Sequence, residues 1–233
     1  MMWLAALLGA LCGLLLDALA DWLPPRVVDQ DDPSTGDPSS RLPGAQIHPR
    51  CGLRSVLLTF GSTALTVYLH GRYAWSLAFL AQSISCWLLL LIAVIDLEHS
   101  LVPNVLVLAG LAQALAFDLI LPRSNLKGAL LGASFGGGVF LILAIVGRGA
   151  LGPGDVKLAV LIGMLTGFPW VVQALTLGIL IGGLAAAILL VTRVRGPKQY
   201  IPYAPYLVAG CLSTLLFGQR IAEWFGRFSG VGG

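Results

Sequence analysis

Apolar tracts long enough to cross a lipid bilayer dominate this chain and restrict the folds open to it. They lie at about residues 2–20, 54–71, 74–95, 103–121, 127–147, 156–167, 169–192 and 204–219. Only 11% of the residues are charged and 57% are hydrophobic, whereas a soluble domain carries roughly a quarter charged residues. Inside hydrocarbon each backbone N–H and C=O must find its partner within the protein, which leaves helices or a closed barrel. A spanning helix needs about 20 apolar residues. The reading is therefore an all-α polytopic membrane protein with about eight transmembrane helices. The tract 156–167 is short enough to be a partial span. Seven helices result if 156–192 is one bent helix, but Gly167-Phe-Pro-Trp170 reads as a tight turn, because Pro breaks helices and Trp favours the membrane interface.

With eight helices the loops alternate between two sides. Nine of the 14 Lys and Arg residues fall on the side that receives the loop 21–53, the loops near residues 96 and 155, and the loop 193–203. Cytoplasmic loops carry the excess of Lys and Arg, so this side is assigned to the cytoplasm. The first tract begins Met-Met-Trp with no positive charge, and reads as an uncleaved anchor rather than a signal peptide. The loop 21–53 is the one sizeable polar segment, rich in turn residues and acidic groups, and reads as flexible chain within a single membrane-embedded domain, 1–233. A net charge of +3, with scattered basic residues, implies membrane lipid but no nucleic acid as partner. Cys12, Cys86 and Cys211 lie in apolar tracts and Cys51 is alone in the polar loop. Without a C-x-x-C pair, neither a zinc site nor a disulfide framework is expected. No internal repeat is visible, which weighs against a transporter built from two related halves.

Two aspartates stand at the ends of apolar tracts. Asp96 lies in Ile95-Asp-Leu-Glu-His-Ser-Leu-Val-Pro103-Asn104, and Asp155 in Gly152-Pro-Gly-Asp-Val-Lys157. A carboxylate at a bilayer is costly and is a functional candidate by default. Taken singly, each segment has a plain structural reading. Asp155 suits a helix N-cap, Lys157 an interfacial charge whose stem snorkels, and Pro103 the start of a helix. Glu98 and His99 read as solvated loop residues.

Together, in order and on one side of the membrane, the two segments resemble the prepilin peptidase (type IV leader peptidase) family of GxGD membrane aspartyl proteases. Its first motif is an Asp after an apolar helix, a polar run and a Pro, here Asp96 to Pro103. Its second is Gly-x-Gly-Asp-x-Lys, here Gly152, Gly154, Asp155 and Lys157. Ile201-Pro-Tyr-Ala-Pro-Tyr-Leu207 is similar to the Pro-rich opening of the family's last helix. Leu14-Leu-Leu-Asp-Ala-Leu-Ala-Asp-Trp-Leu-Pro-Pro-Arg26 looks like a worn form of its first helix end.

The resemblance implies an aspartic-type endopeptidase of the inner membrane. Asp96 and Asp155 would be its catalytic pair and Lys157 a cation beside the second carboxylate. The substrate would be a type IV prepilin or type II secretion pseudopilin with a basic leader, cut after the leader's Gly at the cytoplasmic face. Proteolysis of this kind needs no cofactor or metal. Many members also methylate the new N-terminus and carry a large insert after helix one with paired C-x-x-C motifs. Here the loop 21–53 stands in its place with Cys51 alone, so methylation is doubted, and S-adenosylmethionine is implied only if methylation is retained. The competing readings are a transporter or proton relay using the intramembrane carboxylates, and an inactive peptidase relative acting in pilus assembly. A transporter predicts carboxylates near mid-membrane, whereas both motifs fall at one face.

Overall fold

In a computed structural model of the protein, residues 2–31, 52–121, 125–147, 152–192 and 202–228 are described. Among them are eight helices and no strand: α1 Met2–Asp31, α2 Leu53–Tyr73, α3 Leu77–His99, α4 Asn104–Ile120, α5 Leu126–Val146, α6 Pro153–Thr166, α7 Trp170–Val191 and α8 Ala204–Phe228. The protein is an all-α polytopic membrane protein. Four segments are long and apolar enough to cross a membrane, Met2–Leu23, Leu77–His99, Leu126–Val146 and Trp170–Ile188. The 17-residue α4 is apolar but shorter. The turn read at Gly167-Phe-Pro-Trp170 separates α6 from α7, with Gly167 at φ 71° and the Phe168 N–H donating to Gly128 O at 2.8 Å. One boundary differs from the sequence reading. The loop expected from residue 21 starts later, because α1 continues to Asp31, past the apolar stretch that ends at Leu23. Hydropathy marks where a segment stops being apolar, not where its backbone stops being helical. Residues 32–51 of that loop, with Cys51, lie outside the described residues.

The helices pack in two compact units, Met1–Leu91 and Ile92–Gly233. In the first, α1 and α2 meet through small residues. A side chain at Gly9 would come within 2.7 Å of Thr63 Cα, and the Ser62 hydroxyl donates to Gly9 O at 2.8 Å. Lipid gives apolar helices no hydrophobic reason to associate, so close backbone approach and interhelical hydrogen bonds take that role. At the other end of the pair, Arg54 donates to Asp17 Oδ1 at 2.7 Å and to Asp21 Oδ1 at 2.8 Å. These pairings give Asp17 and Asp21 a structural task.

The second unit is built around α6. At 14 residues this helix is about 21 Å long, less than the hydrocarbon thickness of roughly 30 Å. It is covered by α4, α5, α7 and α8, and Leu158, Ala159, Leu161 and Ile162 are completely buried. Gly132 of α5 and Gly163 of α6 lie backbone to backbone, since a Cβ on either would overlap the other's carbonyl. Gly178 of α7 lets the Leu207 backbone of α8 approach in the same way, with room of only 3.0 Å for an added Cβ. The first of these contacts holds the C-terminal half of α6, the helix that carries Asp155 in its first turn, against α5.

Candidate active site

Three helix ends converge in the second unit: the C-terminal turn of α3 and the N-termini of α6 and α8. Asp96 lies one turn before the end of α3 and is 2% exposed. The chain then turns at Ser100, at φ 51°, with the Ser100 N–H bonded to Asp96 O at 2.8 Å. Asp96 Oδ2 accepts the backbone N–H of Ala204, the first residue of α8, at 3.2 Å. That N–H is one of the donors a helix leaves unmatched in its first turn, so it favours negative charge.

Asp155 is 3% exposed. Gly152, not Asp155, is the N-cap of α6, and Pro153 opens the helix. Asp155 is the third helical residue and its Oδ2 accepts the Gly152 N–H at 3.2 Å. This is the carboxylate half of a capping box, which corrects the plain reading of Asp155 as the cap itself. Gly154 lets the neighbouring loop come close, because a Cβ there would stand 3.0 Å from Val102 Cβ. The Asp155 segment thus rests on the chain that leads from Asp96 to Pro103. Pro103 is buried and forms the N-cap of α4.

The charge of Asp155 reaches Asp96 and also Tyr203. Each carboxylate commits one oxygen to a backbone N–H. Among the described residues, the second oxygen of each takes no hydrogen bond and neither aspartate is in an ion pair. A buried carboxylate without a counter-ion is costly when ionised, and two in mutual reach are costlier still.

Lys157 does not face the carboxylates as the resemblance implied. It is exposed and its ammonium donates to Asn104 Oδ1 at 2.7 Å, joining α6 to the start of α4. Glu98 and His99 are exposed in the last turn of α3, and Asp118 lies in α4. Among the described residues no group of three or more His, Cys, Asp and Glu side chains could hold a metal ion. The sequence reading carried Val102 and Asn104 within the Asp96 motif and Ala204 within the Pro-rich stretch, and gave none of the three a task of its own.

The type IV leader peptidase family matches residues 83–191, a segment that contains both aspartates. A protein of Bacillus subtilis is 30% identical over 154 residues, covering 66% of this chain and 62% of its own length. One of Pseudomonas aeruginosa is 32% identical over 174 residues, covering 71% and 60%, and one of Dichelobacter nodosus 29% over 180, covering 75% and 62%. Each is named prepilin leader peptidase/N-methyltransferase. The chain thus spans about three fifths of the length of these relatives. No solved structure matches it. With two aspartates at the ends of α3 and α6 and these relatives across several bacteria, the chain belongs to the type IV leader peptidase family.

Proposed function

We propose that the protein is an aspartic endopeptidase of the inner membrane, one membrane-embedded domain that removes the basic leader of a type IV prepilin or type II secretion pseudopilin. What carries this reading is that Asp96 and Asp155 lie within electrostatic reach of each other. Both are buried, each is held by one backbone N–H, and each is left with an oxygen that takes no partner among the described residues. The names of the relatives, prepilin leader peptidase, supply the substrate class.

The reaction follows from a pair that shares one proton. The ionised carboxylate takes a proton from water as the water oxygen bonds to the scissile carbonyl carbon. The protonated carboxyl gives its proton to the carbonyl oxygen, and a gem-diol forms. As the C–N bond breaks, the first carboxyl passes its proton to the leaving nitrogen. The second regains its proton from a hydroxyl of the gem-diol, and the pair returns to its starting state. No side chain here fixes which aspartate begins as base, because coupled groups titrate as a pair. The Lys and Arg distribution supports a cytoplasmic face for both motifs, where a short basic leader would be presented.

The relatives' names also include N-methyltransferase. No step above passes through S-adenosylmethionine. The segment 32–52 between α1 and α2 has too little core to offset the ordering of a donor pocket, so the released pilin is expected to carry an unmodified N-terminus. The test is to incubate membranes containing the protein with a prepilin whose leader is intact, adding S-adenosylmethionine, and to weigh the product. A mature pilin without a methyl group is the expected product. An uncut prepilin contradicts the peptidase reading, and a gain of one methyl group contradicts the second expectation.

A further inference from the structure

Tyr203 is the residue that starts α8. Its carbonyl accepts the first N–H groups of the helix, from Tyr206 at 3.2 Å and from Leu207 at 3.3 Å. The Ala204 N–H has no carbonyl within the helix to bond, as the first N–H groups of any helix do not, and goes to Asp96 Oδ2 at 3.2 Å. Its direction is that of the planar peptide joining Tyr203 to Ala204. Whatever fixes Tyr203 therefore aims the bond to Asp96. The Tyr203 ring lies 6.4 Å from the completely buried Phe140 ring of α5 and 6.4 Å from the Tyr206 ring of α8. On α7 the residue facing it is Gly182. A Cβ on Gly182 would stand 2.9 Å from Tyr203 Cε2 and 3.3 Å from Tyr206 Cβ. At Gly183, the next residue, an added Cβ would meet open space. The tight fit thus belongs to one face of α7.

We infer that Gly182 is a positioning residue for cleavage: it admits the Tyr203 ring to a seat between α5, α7 and α8, and that seat aims the Ala204 N–H at Asp96. The inference rests on the peptidase reading of Asp96 and Asp155. Every link is a contact or a covalent bond. Gly182 meets the ring, the ring is carried by the 203–204 peptide, and that peptide's N–H meets the carboxylate. Alanine at 182 would drive the ring from its seat. Phe140 and Tyr206 flank the ring, and close-packed interiors transmit such strain, so the displacement passes to the 203–204 peptide. Hydrogen bonds weaken steeply as they bend, and the one to Asp96 bends with that peptide. Alanine is otherwise a better helix former than glycine. The substitution therefore favours α7 as a helix while it disturbs the site.

Gly182→Ala and Gly183→Ala, compared on a prepilin substrate, test this. Gly182→Ala is expected to lower kcat about tenfold, the low end for losing a hydrogen bond to a charged group. KM should change little, because the bond disturbed is to the protein's own carboxylate. Gly183→Ala is expected to cleave as the unaltered protein does. The deciding comparison is made in Ala204→Pro, where the N–H is already gone. There Gly182→Ala should lower kcat no further, whereas a general loosening of α7 against α8 would lower it in both backgrounds. If Gly182→Ala fails to accumulate as folded protein, Tyr203→Leu takes its place, since it removes the ring without adding to α7. Its kcat should fall in the unaltered background and not in Ala204→Pro. An unchanged kcat in either variant, or losses that multiply with Ala204→Pro, overturns the inference while the unaltered protein still cleaves. If the unaltered protein cleaves nothing, the peptidase reading itself falls, and this inference with it.

Discussion

The Ala204 N–H donates to Asp96 Oδ2 at 3.2 Å across a separation of 108 residues. A backbone donor cannot be lost by an ordinary side-chain substitution, and proline is the replacement that removes it. Ala204 is the first residue of α8, the part of a helix where proline is tolerated. Ala204→Pro is therefore expected to preserve α8 while taking one hydrogen bond from Asp96. A bond to a charged group contributes about 1.5–3 kcal/mol, so cleavage should fall by roughly ten- to a hundredfold. Ala204→Gly, which retains the N–H, should stay near the unaltered rate. Cleavage kinetics on the two purified proteins check this, with thermal unfolding as the control for folding.

Gly154 and Val102 form a second dependence that substitution can expose. An added Cβ at 154 must displace the Val102 side chain, which would stand 3.0–3.3 Å away. Overpacking of this kind costs about 1–3 kcal/mol. Here it would press the Asp96–Pro103 loop away from Asp155. Gly154→Ala is predicted to slow cleavage, and Val102→Ala, which empties the contested space, to restore much of it. A double mutant no faster than Gly154→Ala would show that the glycine serves another purpose.

Lys157 is tied to Asn104 rather than to a carboxylate. Its removal should therefore slow cleavage less than loss of either aspartate. Lys157→Met and Asn104→Ala should behave alike, and the double mutant should be no worse than either single change, because both remove one bond. Rates that multiply in the double mutant would separate the two roles and return Lys157 to the carboxylates.

Much of this arrangement was legible in the sequence, for reasons tied to particular residues. Asp96 and Asp155 announced themselves because a carboxylate at the end of an apolar tract is costly and the two segments recur in a known order on one side of the membrane. The turn at Gly167 was readable because Gly and Pro restrict backbone geometry locally. What was not legible was pairing at a distance. Nothing about Ala204 suggests that its N–H would serve a residue in α3. Gly132 and Gly163 look like ordinary small residues until α5 and α6 are laid together. Lys157 was read from its place beside Asp155 in the chain, yet a side chain two residues on along a helix faces elsewhere. The continuation of α1 to Asp31 escaped because hydropathy falls before the helix ends.

The most direct test of the central claim is leader cleavage by Asp96→Asn and Asp155→Asn, each measured beside the unaltered protein and Asp118→Asn in the same membranes. Asparagine keeps the size of the side chain but cannot exchange a proton, and a pair that shares one proton needs both members. The account predicts no detectable mature pilin from either motif variant, at normal levels of membrane-inserted protein, and near-normal cleavage by Asp118→Asn. Full cleavage by Asp96→Asn or by Asp155→Asn would contradict it.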